Sequence, residues 1–273
     1  MTYMNIKETK RSLSAVKTAL KAGENELLPR FKKEHPGAWR YKKHSEIVTE
    51  ADEASNKAII RALRKATPEF GVLTEESPSI QGPKNIFWVV DPLDGTTNYT
   101  AHLPLWGISI ALVENGEITL GAISLPTMKE RYFALKNSGA WVENGVKKKR
   151  IHVSDKTKIK DALGLFCYGY LPEEKTRGVK HVPALTMHSR STRRLGAAVF
   201  EAVWVATGRA EYSILHGIHD WDVAAGTLLV REAGGQVMTP QGKEWRLGDK
   251  DFLAVCPGMK KPLLKIFSSD RAR

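Results

Sequence analysis

Between residues 5 and 33, apolar side chains recur at helical spacing. Ile6, Leu13, Val16, Leu20, Leu27 and Phe31 approximate one stripe among Lys, Arg and Glu, which predicts an amphipathic helix. Gly23 interrupts the stripe and Pro29 marks a kink or an end. Residues 50–66 predict a second helix with Ala54, Ala58, Ile59 and Leu63 inward. The period then shortens. FGVLTEES (70–77) reads as a short strand running into two acids, residues 79–85 as a polar loop, and NIFWVV (85–90) as a strand covered on both faces. WGISIALVENGEITLGAISLP (106–126) predicts a hairpin turning at Asn115-Gly116, and residues 130–154 predict further strands around Asn144-Gly145. GAAVFEAVWVAT (196–207) reads as a buried helix, and DVAAGTLLVREAGG, from 222, as another that stops at Gly234-Gly235. FLAVCP (252–257) is a last short strand. Strands and helices mixed without strict βαβ alternation give the fold class α+β (mixed α/β), in layers.

Composition narrows this only a little. The 273 residues are 42% hydrophobic and 26% charged, as in ordinary globular chains. No apolar run approaches the ~18 residues that span a bilayer. The N-terminus shows no apolar signal region, so the cytoplasm is the expected location and no membrane partner is expected. Cys167 and Cys256 have neither metal-binding nor disulfide-framework spacing and are expected to be reduced core residues. The net charge is +12; residues 1–44 hold eleven Lys/Arg against four Glu. A basic chain attracts anions, whether nucleic acid, anionic lipid or phosphorylated metabolites.

The chemistry concentrates where apolar strands end in carboxylates. Leu73 leads into Glu75-Glu76, and Val90 into WVVDPLDGTTN (88–98) with Asp91 and Asp94. Ligands of open α/β sheets collect beyond strand C-termini. If the two strands are neighbours, Glu75, Asp91 and Asp94 converge and raise one another's pKa, which a divalent cation relieves. An all-oxygen donor set favours Mg²⁺, Mn²⁺ or Ca²⁺ over zinc. Gly95-Thr96-Thr97 adds a close backbone approach and a helix start whose amides suit an anion. Carboxylates beside such amides suggest a phosphate-ester site. Singly, each feature has a simpler explanation: Asp94-Gly95 as a turn, Glu75-Glu76 as a solvated turn, Asp222 as a helix N-cap.

DPLDGTTN (91–98), WDVAAG (221–226) and REAGG (231–235) strongly resemble the two signatures of the inositol monophosphatase family. VTEAD (48–52) and TEES (74–77) resemble two further elements of it, and the resemblance spans nearly the whole chain. It implies an α-β-α-β-α sandwich: one domain over 1–273, with a metal and phosphate lobe at about 1–145 and a substrate lobe at 146–273. It implies Glu75, Asp91, Asp94, Asp222 and the Leu93 carbonyl as ligands for roughly two or three Mg²⁺, with Mn²⁺ as a substitute. Asp52 and Thr96, with Glu75, would orient and activate the attacking water, while Asp94, Gly95, Thr96 and Thr97 would receive the phosphate. A lithium-sensitive homodimer acting on a small phosphorylated metabolite is implied as well.

Departures from the family pattern bear on the substrate. Thr74 replaces a glycine, and His102 is shifted by one residue, so a packing or solvent-facing role is expected for it. His216, His219 and Asp220 are expected to be structural or supporting. Leu215 stands where animal members carry a glutamate that contacts inositol hydroxyls, and leucine accepts no hydrogen bond. RRLGAA (193–198) resembles the segment lining the leaving-group side, which makes Arg193, Arg194, Gly196 and Ala197 substrate-side candidates. Arg194, with His188 and Arg190, would suit a second phosphate, as in fructose 1,6-bisphosphate; a solvated loop or a dimer surface explains these cations equally. Thr97, where nucleotidases and histidinol phosphatases tend to have lysine, favours the inositol and fructose branch. VKKKR (146–150) reads as a lysine-protected strand edge rather than a nucleic-acid patch. The alternative of another class is a basic, nucleic-acid-associated regulatory protein on the same fold.

Overall fold

Helix α1 (Ile6–Phe31) runs where the first apolar stripe places it, with Pro29 inside its C-terminal turn. Val16, Leu20 and Leu27 are fully buried. A short antiparallel ribbon, β1 (Trp39–Tyr41) and β2 (Ile47–Thr49), leads into α2 (Glu50–Ala66). Thr49 caps α2: its hydroxyl accepts from the Asp52 amide at 3.3 Å, and the Asp52 carboxylate accepts from the Thr49 amide at 2.9 Å. The buried face of α2 is rotated from the expected one. Ser55, Asn56, Ile59 and Leu63 are buried while Ala54 and Ala58 are half-buried. Polar Ser55 and Asn56 can turn inward because the Pro92 carbonyl and the Thr74 and Ser77 hydroxyls pair with them. Gly23 is what lets α1 lie so close: a Cβ there would stand 2.7 Å from Ile108 Cδ1 and 2.9 Å from Ile59 Cδ1.

A computed structural model describes residues 6–32, 39–42, 46–83 and 85–269. Residues 5 and 33 at the ends of the expected first helix, Lys84 of the 79–85 loop and part of the basic N-terminal run lie outside the described residues.

Seven strands follow. These are β3 (Gly71–Thr74), β4 (Ile86–Asp94) and, after the five-residue α3 (Thr96–Thr100), β5 (Gly107–Glu114), β6 (Glu117–Leu125), β7 (Glu130–Leu135), β8 (Gly139–Asn144) and β9 (Lys147–Arg150). They neighbour one another in chain order, with only β3 and β4 parallel. The Asn115-Gly116 and Asn144-Gly145 turns lie where the sequence places them. β9 is exposed at every residue and forms one edge of the sheet, so its lysines discourage further strand pairing. The second sheet is built from β10 (Leu163–Tyr168), β11 (Ser191–Arg193), β12 (Tyr212–His216), β13 (Gln236–Met238) and β14 (Asp251–Val255), in the order β11-β10-β12-β14-β13. Around it run α4 (Pro172–His188), α5 (Ala198–Ala206), α6 (Asp220–Glu232) and α7 (Lys260–Ser269).

Core packing stacks these elements in five layers. Leu20, Leu27 and Ile59 of α1 and α2 pack with Trp88, Ile110 and Phe133 on one face of the seven-stranded sheet. Val89, Ala111 and Ile123 on the opposite face meet Val203 of α5 and Leu229 of α6. Those helices also pack Leu165, Leu215 and Phe252 of the second sheet, whose far face meets Leu185 of α4 and Phe267 of α7. The alternation α-β-α-β-α is therefore the architecture. α4, α7 and most of the second sheet lie in stretches where the sequence predicts no element. α4 carries Gly178 and Pro183 within seventeen residues, which obscures its helical period. We expect Gly23→Leu to cost about 1–3 kcal/mol of stability through overpacking between α1, α2 and β5, measured by urea unfolding.

Candidate active site

The carboxylates converge because of how their strands pair. Thr74 of β3 lies beside Val90 of β4, and the Glu75 amide donates to the Val90 carbonyl at 3.3 Å, so Glu75 leaves the sheet next to Asp91. β4 does not stop at Val90 as expected but continues to Asp94. Its register against β5 shifts between Asp91, opposite Ser109, and Asp94, opposite Gly107. A regular pleat would send residues 91 and 94 to opposite faces, and the bulge re-aims them. Pro92 suits it because it has no amide to contribute to the ladder. Asp222 arrives on α6, which begins at Asp220 rather than 222. Asp222 is therefore not the N-cap but the third residue, and its carboxylate accepts from the His219 amide at 2.7 Å. The Ser109 hydroxyl donates to the Trp221 carbonyl at 3.1 Å and so ties this helix start to the strand position opposite Asp91.

Glu75, Asp91, Leu93, Asp94, Gly95, Thr96, Thr97, Gly196, Ala197 and Asp222 line one cavity of about 580 Å³. Backbone amides hold the acids in place: Leu93 donates to Asp91 at 3.0 Å and Val199, at the start of α5, to Asp94 at 2.6 Å. Gly95 has φ +89, and a Cβ there would stand 2.9 Å from the Leu105 carbonyl oxygen. Its amide also supports the Asp94 carboxylate. Thr96 opens α3, and its hydroxyl lies 2.9 Å from Asp52 Oδ1 and 3.1 Å from the Leu93 carbonyl. Asp52 lies beneath this wall, buried, and reaches the cavity only through Thr96.

The electrostatics are those of crowded acids. Burial first, then Glu75, Asp94 and Asp222, hold Asp91 well above the usual carboxylate range. Burial pushes Asp94 up to about 7, with Glu75 adding to it and the Val199 and Ala198 amides opposing. Asp222 is likewise raised well above its ordinary value, by burial and then by Glu75 and Asp94. Burial raises Asp52 to about 6 against its Thr49 and Thr96 hydrogen bonds. Behind Asp94, burial pushes Glu201 to about 8.

Among the described residues, no group of three or more His, Cys, Asp or Glu donors is already placed to hold a metal ion. The chemistry of the donor set nevertheless fits an oxygen-preferring divalent cation: four carboxylates line one cavity, and Asp91, Asp94 and Asp222 are held above the usual carboxylate range by burial and by neighbouring acids. A cation already sits at their edge. Lys42 Nζ lies 2.8 Å from Glu75 and also pairs with Glu76. Burial alone would lower its pKa, but the two carboxylates more than offset this and hold it above the ordinary lysine value.

The other wall is less regular. Arg194 lies with its guanidinium 3.9 Å from the Tyr168 ring centroid and donates to the Tyr168 hydroxyl at 3.1 Å. Arg193 does not join it; its exposed side chain donates to the Ser191 hydroxyl and the Thr192 carbonyl and does not line the cavity. Leu215 lines the cavity and is 2% exposed. His188 and Arg190 are not among the lining residues. Cys167 lines the wall instead of lying in the core, and burial pushes its thiol up to about 12, which keeps it protonated. His102 packs against Phe31, and His216 is buried beside Asp251. His219 stacks on Trp221, and the Asp220 carboxylate accepts from the Gly248 amide. Sequence reasoning missed Lys42, Tyr168, Tyr170 and Asn98. Only Asn98 left a signal, as the last letter of the motif; its side-chain amide donates to the Leu105 and Leu195 carbonyls and so ties the segment before β5 to the one before α5.

The family model described as "Inositol monophosphatase family" matches residues 7–269. The chain belongs to the inositol monophosphatase family. It is 40% identical over 240 residues to Nus factor SuhB of Xylella fastidiosa, covering 86% of this chain and 84% of that one. It is 35% identical to the fructose-1,6-bisphosphatase/inositol-1-monophosphatase of Thermotoga maritima, covering 76% of this chain and 77% of that one. The crystal structure of extragenic suppressor protein suhB from Bartonella henselae superposes with a TM-score of 0.88 at 30% identity, covering 94% of this chain and 98% of that one. Among the described residues no helix is long and apolar enough to cross a membrane.

The raised carboxylates make stability pH-dependent. A raised folded-state pKa means that the folded protein binds protons more tightly than the unfolded chain, so stability falls as pH rises through that pKa. With Asp52 near 6 and Asp94 near 7, the melting temperature in EDTA should fall between about pH 5 and pH 8. Mg²⁺ should raise it more at the upper end, which a thermal-shift series checks.

Proposed function

We propose that this protein is a Mg²⁺-dependent phosphomonoesterase of small polyol or sugar phosphates, with inositol 1-phosphate the first candidate and fructose 1,6-bisphosphate the alternative, and that it works as a lithium-sensitive cytoplasmic homodimer. The observation that carries the reading is the meeting of Glu75, Asp91, Asp94 and Asp222 on one cavity wall beside the Thr96–Asp52 pair. Bound by those carboxylates and the Leu93 carbonyl, Mg²⁺ would neutralise phosphate charge and lower the pKa of a water. The chain supplies the rest. Asp52, ionised above about pH 6, holds the Thr96 hydroxyl proton and leaves that oxygen's lone pairs to orient a water. Glu75 is the acceptor for a water proton, and Lys42 keeps it from drifting into solvent. The backbone at Gly95-Thr96 takes the phosphate. On the leaving-group side, Arg194 favours an additional anion and Leu215 disfavours a strict requirement for inositol, so activity on both sugar and polyol esters is expected.

Phosphate release from a small metabolite panel should be abolished by EDTA, restored by Mg²⁺ or Mn²⁺ and inhibited by Li⁺. Asp91→Asn should lower kcat by more than the ~10–100-fold typical of changes around a metal site rather than in it. Full activity in EDTA would overturn the reading.

A second reading is a nucleic-acid-associated regulatory role, favoured by the +12 charge and by a 40%-identical relative named Nus factor SuhB. Salt-sensitive RNA binding that survives Asp91→Asn would support it, because the carboxylate site would then be dispensable.

A further inference from the structure

Away from the four carboxylates, the cavity lining includes Cys167, Tyr168, Tyr170, Arg194, Leu195 and Leu215. These side chains offer donors and apolar surface but few hydrogen-bond acceptors. The Tyr168 hydroxyl already accepts from Arg194, and the Tyr170 hydroxyl lies 3.2 Å from that of Thr97. A leaving alcohol rich in hydroxyls needs acceptors, and these side chains supply it poorly.

Among the described residues, one acid lines the cavity besides Glu75, Asp91, Asp94 and Asp222, and it is Glu46. Glu46 is half-buried and immediately precedes β2. The β1–β2 ribbon fixes its place: the Lys42 amide donates to the Glu46 carbonyl at 2.8 Å, next to the Tyr41–Ile47 pair. Lys42 directs its own ammonium at Glu75 and Glu76. Burial raises the Asp222 carboxyl and the Tyr170 hydroxyl, and the charge of Glu46 adds to both shifts. Asp222 belongs to the quartet and Tyr170 to the rest of the lining, so the Glu46 carboxylate lies near both.

A fifth acid here is unfavourable for the protein alone, because it repels Asp222 and would repel an incoming phosphate. The ribbon does not require it: the bond from Lys42 uses a backbone carbonyl, which any residue would supply. Hydroxyl donors on a bound alcohol would offset the cost, since hydrogen bonds to an ionised acceptor are among the stronger ones. We propose that Glu46 sets specificity for the leaving alcohol by accepting a hydrogen bond from one of its hydroxyls, a task that Leu215 cannot perform. The proposal rests on the phosphomonoesterase reading above.

The test is steady-state kinetics of the full chain over a Mg²⁺ series, on inositol 1-phosphate and on p-nitrophenyl phosphate, whose leaving group has no other hydroxyl. Glu46→Ala removes the acceptor, and Glu46→Gln keeps a neutral one of the same length. For Glu46→Ala the expected result is a loss of about tenfold or more in kcat/KM for the inositol ester, mostly in KM, with the aryl ester unchanged within about twofold and the melting temperature unaltered. Glu46→Gln should fall between Glu46→Ala and the wild type on the inositol ester and match the wild type on the aryl ester. Equal losses on both esters with a higher Mg²⁺ requirement would assign Glu46 to the cation and overturn the role. Equal changes without that requirement, or no change on either ester, overturn it too. A wild-type protein that cleaves only the aryl ester also overturns it, while the phosphomonoesterase reading stands. A wild-type protein that cleaves neither overturns that reading and the role of Glu46 with it.

Discussion

Four carboxylates that repel one another must be held together, and much of the fold around the cavity serves that constraint. Left to solvent, Glu75, Asp91, Asp94 and Asp222 would separate. Here each is anchored by something outside the group. A backbone amide holds Asp91, Asp94 and Asp222, and Lys42 pairs with Glu75. The anchors come from separate parts of the chain: α5 supplies the Val199 amide, the turn before α6 the His219 amide, and the ribbon before α2 the lysine. Holding acids close and partly dry raises their proton affinity, and the same arrangement favours a divalent cation.

The constraint also explains the irregular places in otherwise regular elements. The bulge in β4 breaks the alternation that would have parted Asp91 from Asp94. Gly95 takes a left-handed conformation so that the chain can turn into α3 against the Leu105 carbonyl and Ala197. Asn98 spends its side-chain amide on two carbonyls from distant parts of the chain, one at 105 and one at 195. Interior polar groups are costly unless paired, and these are paired across the junction of the two sheets.

Legibility followed the range of the interactions. α2 was readable to the residue because Thr49 and Asp52 form a capping box within four residues, and both hairpin turns were readable because Asn-Gly suits the backbone they need. The end of β4 was misread because a proline and two acids look like a stop, whereas the strand tolerates them at a bulge. The start of α6 was misread because Asp222 has the composition of a cap and the position of a third residue. The five-stranded sheet was largely hidden: four of its strands are five residues or fewer and pair with segments up to about fifty residues away, so their stability lies in partners rather than in local pattern.

The sequence by itself determined the carboxylate side of this protein. Asp91, Asp94, Gly95, Thr96 and Asp222 sit in short, ordered strings whose residue types already point to their chemistry, although strand pairing and amides from other segments bring them together. The opposite wall was decided only by the tertiary structure. Arg193 and Arg194 are equivalent as letters, yet the tertiary structure turns one back onto Ser191 and Thr192 and lays the other on Tyr168. Gly169 and Gly217 lie far apart in sequence and meet only because β10 and β12 pair as parallel neighbours. A motif is written along the chain, but a wall assembled from neighbouring strands exists only once those strands have found each other, because side-chain direction and distance are properties of the pairing.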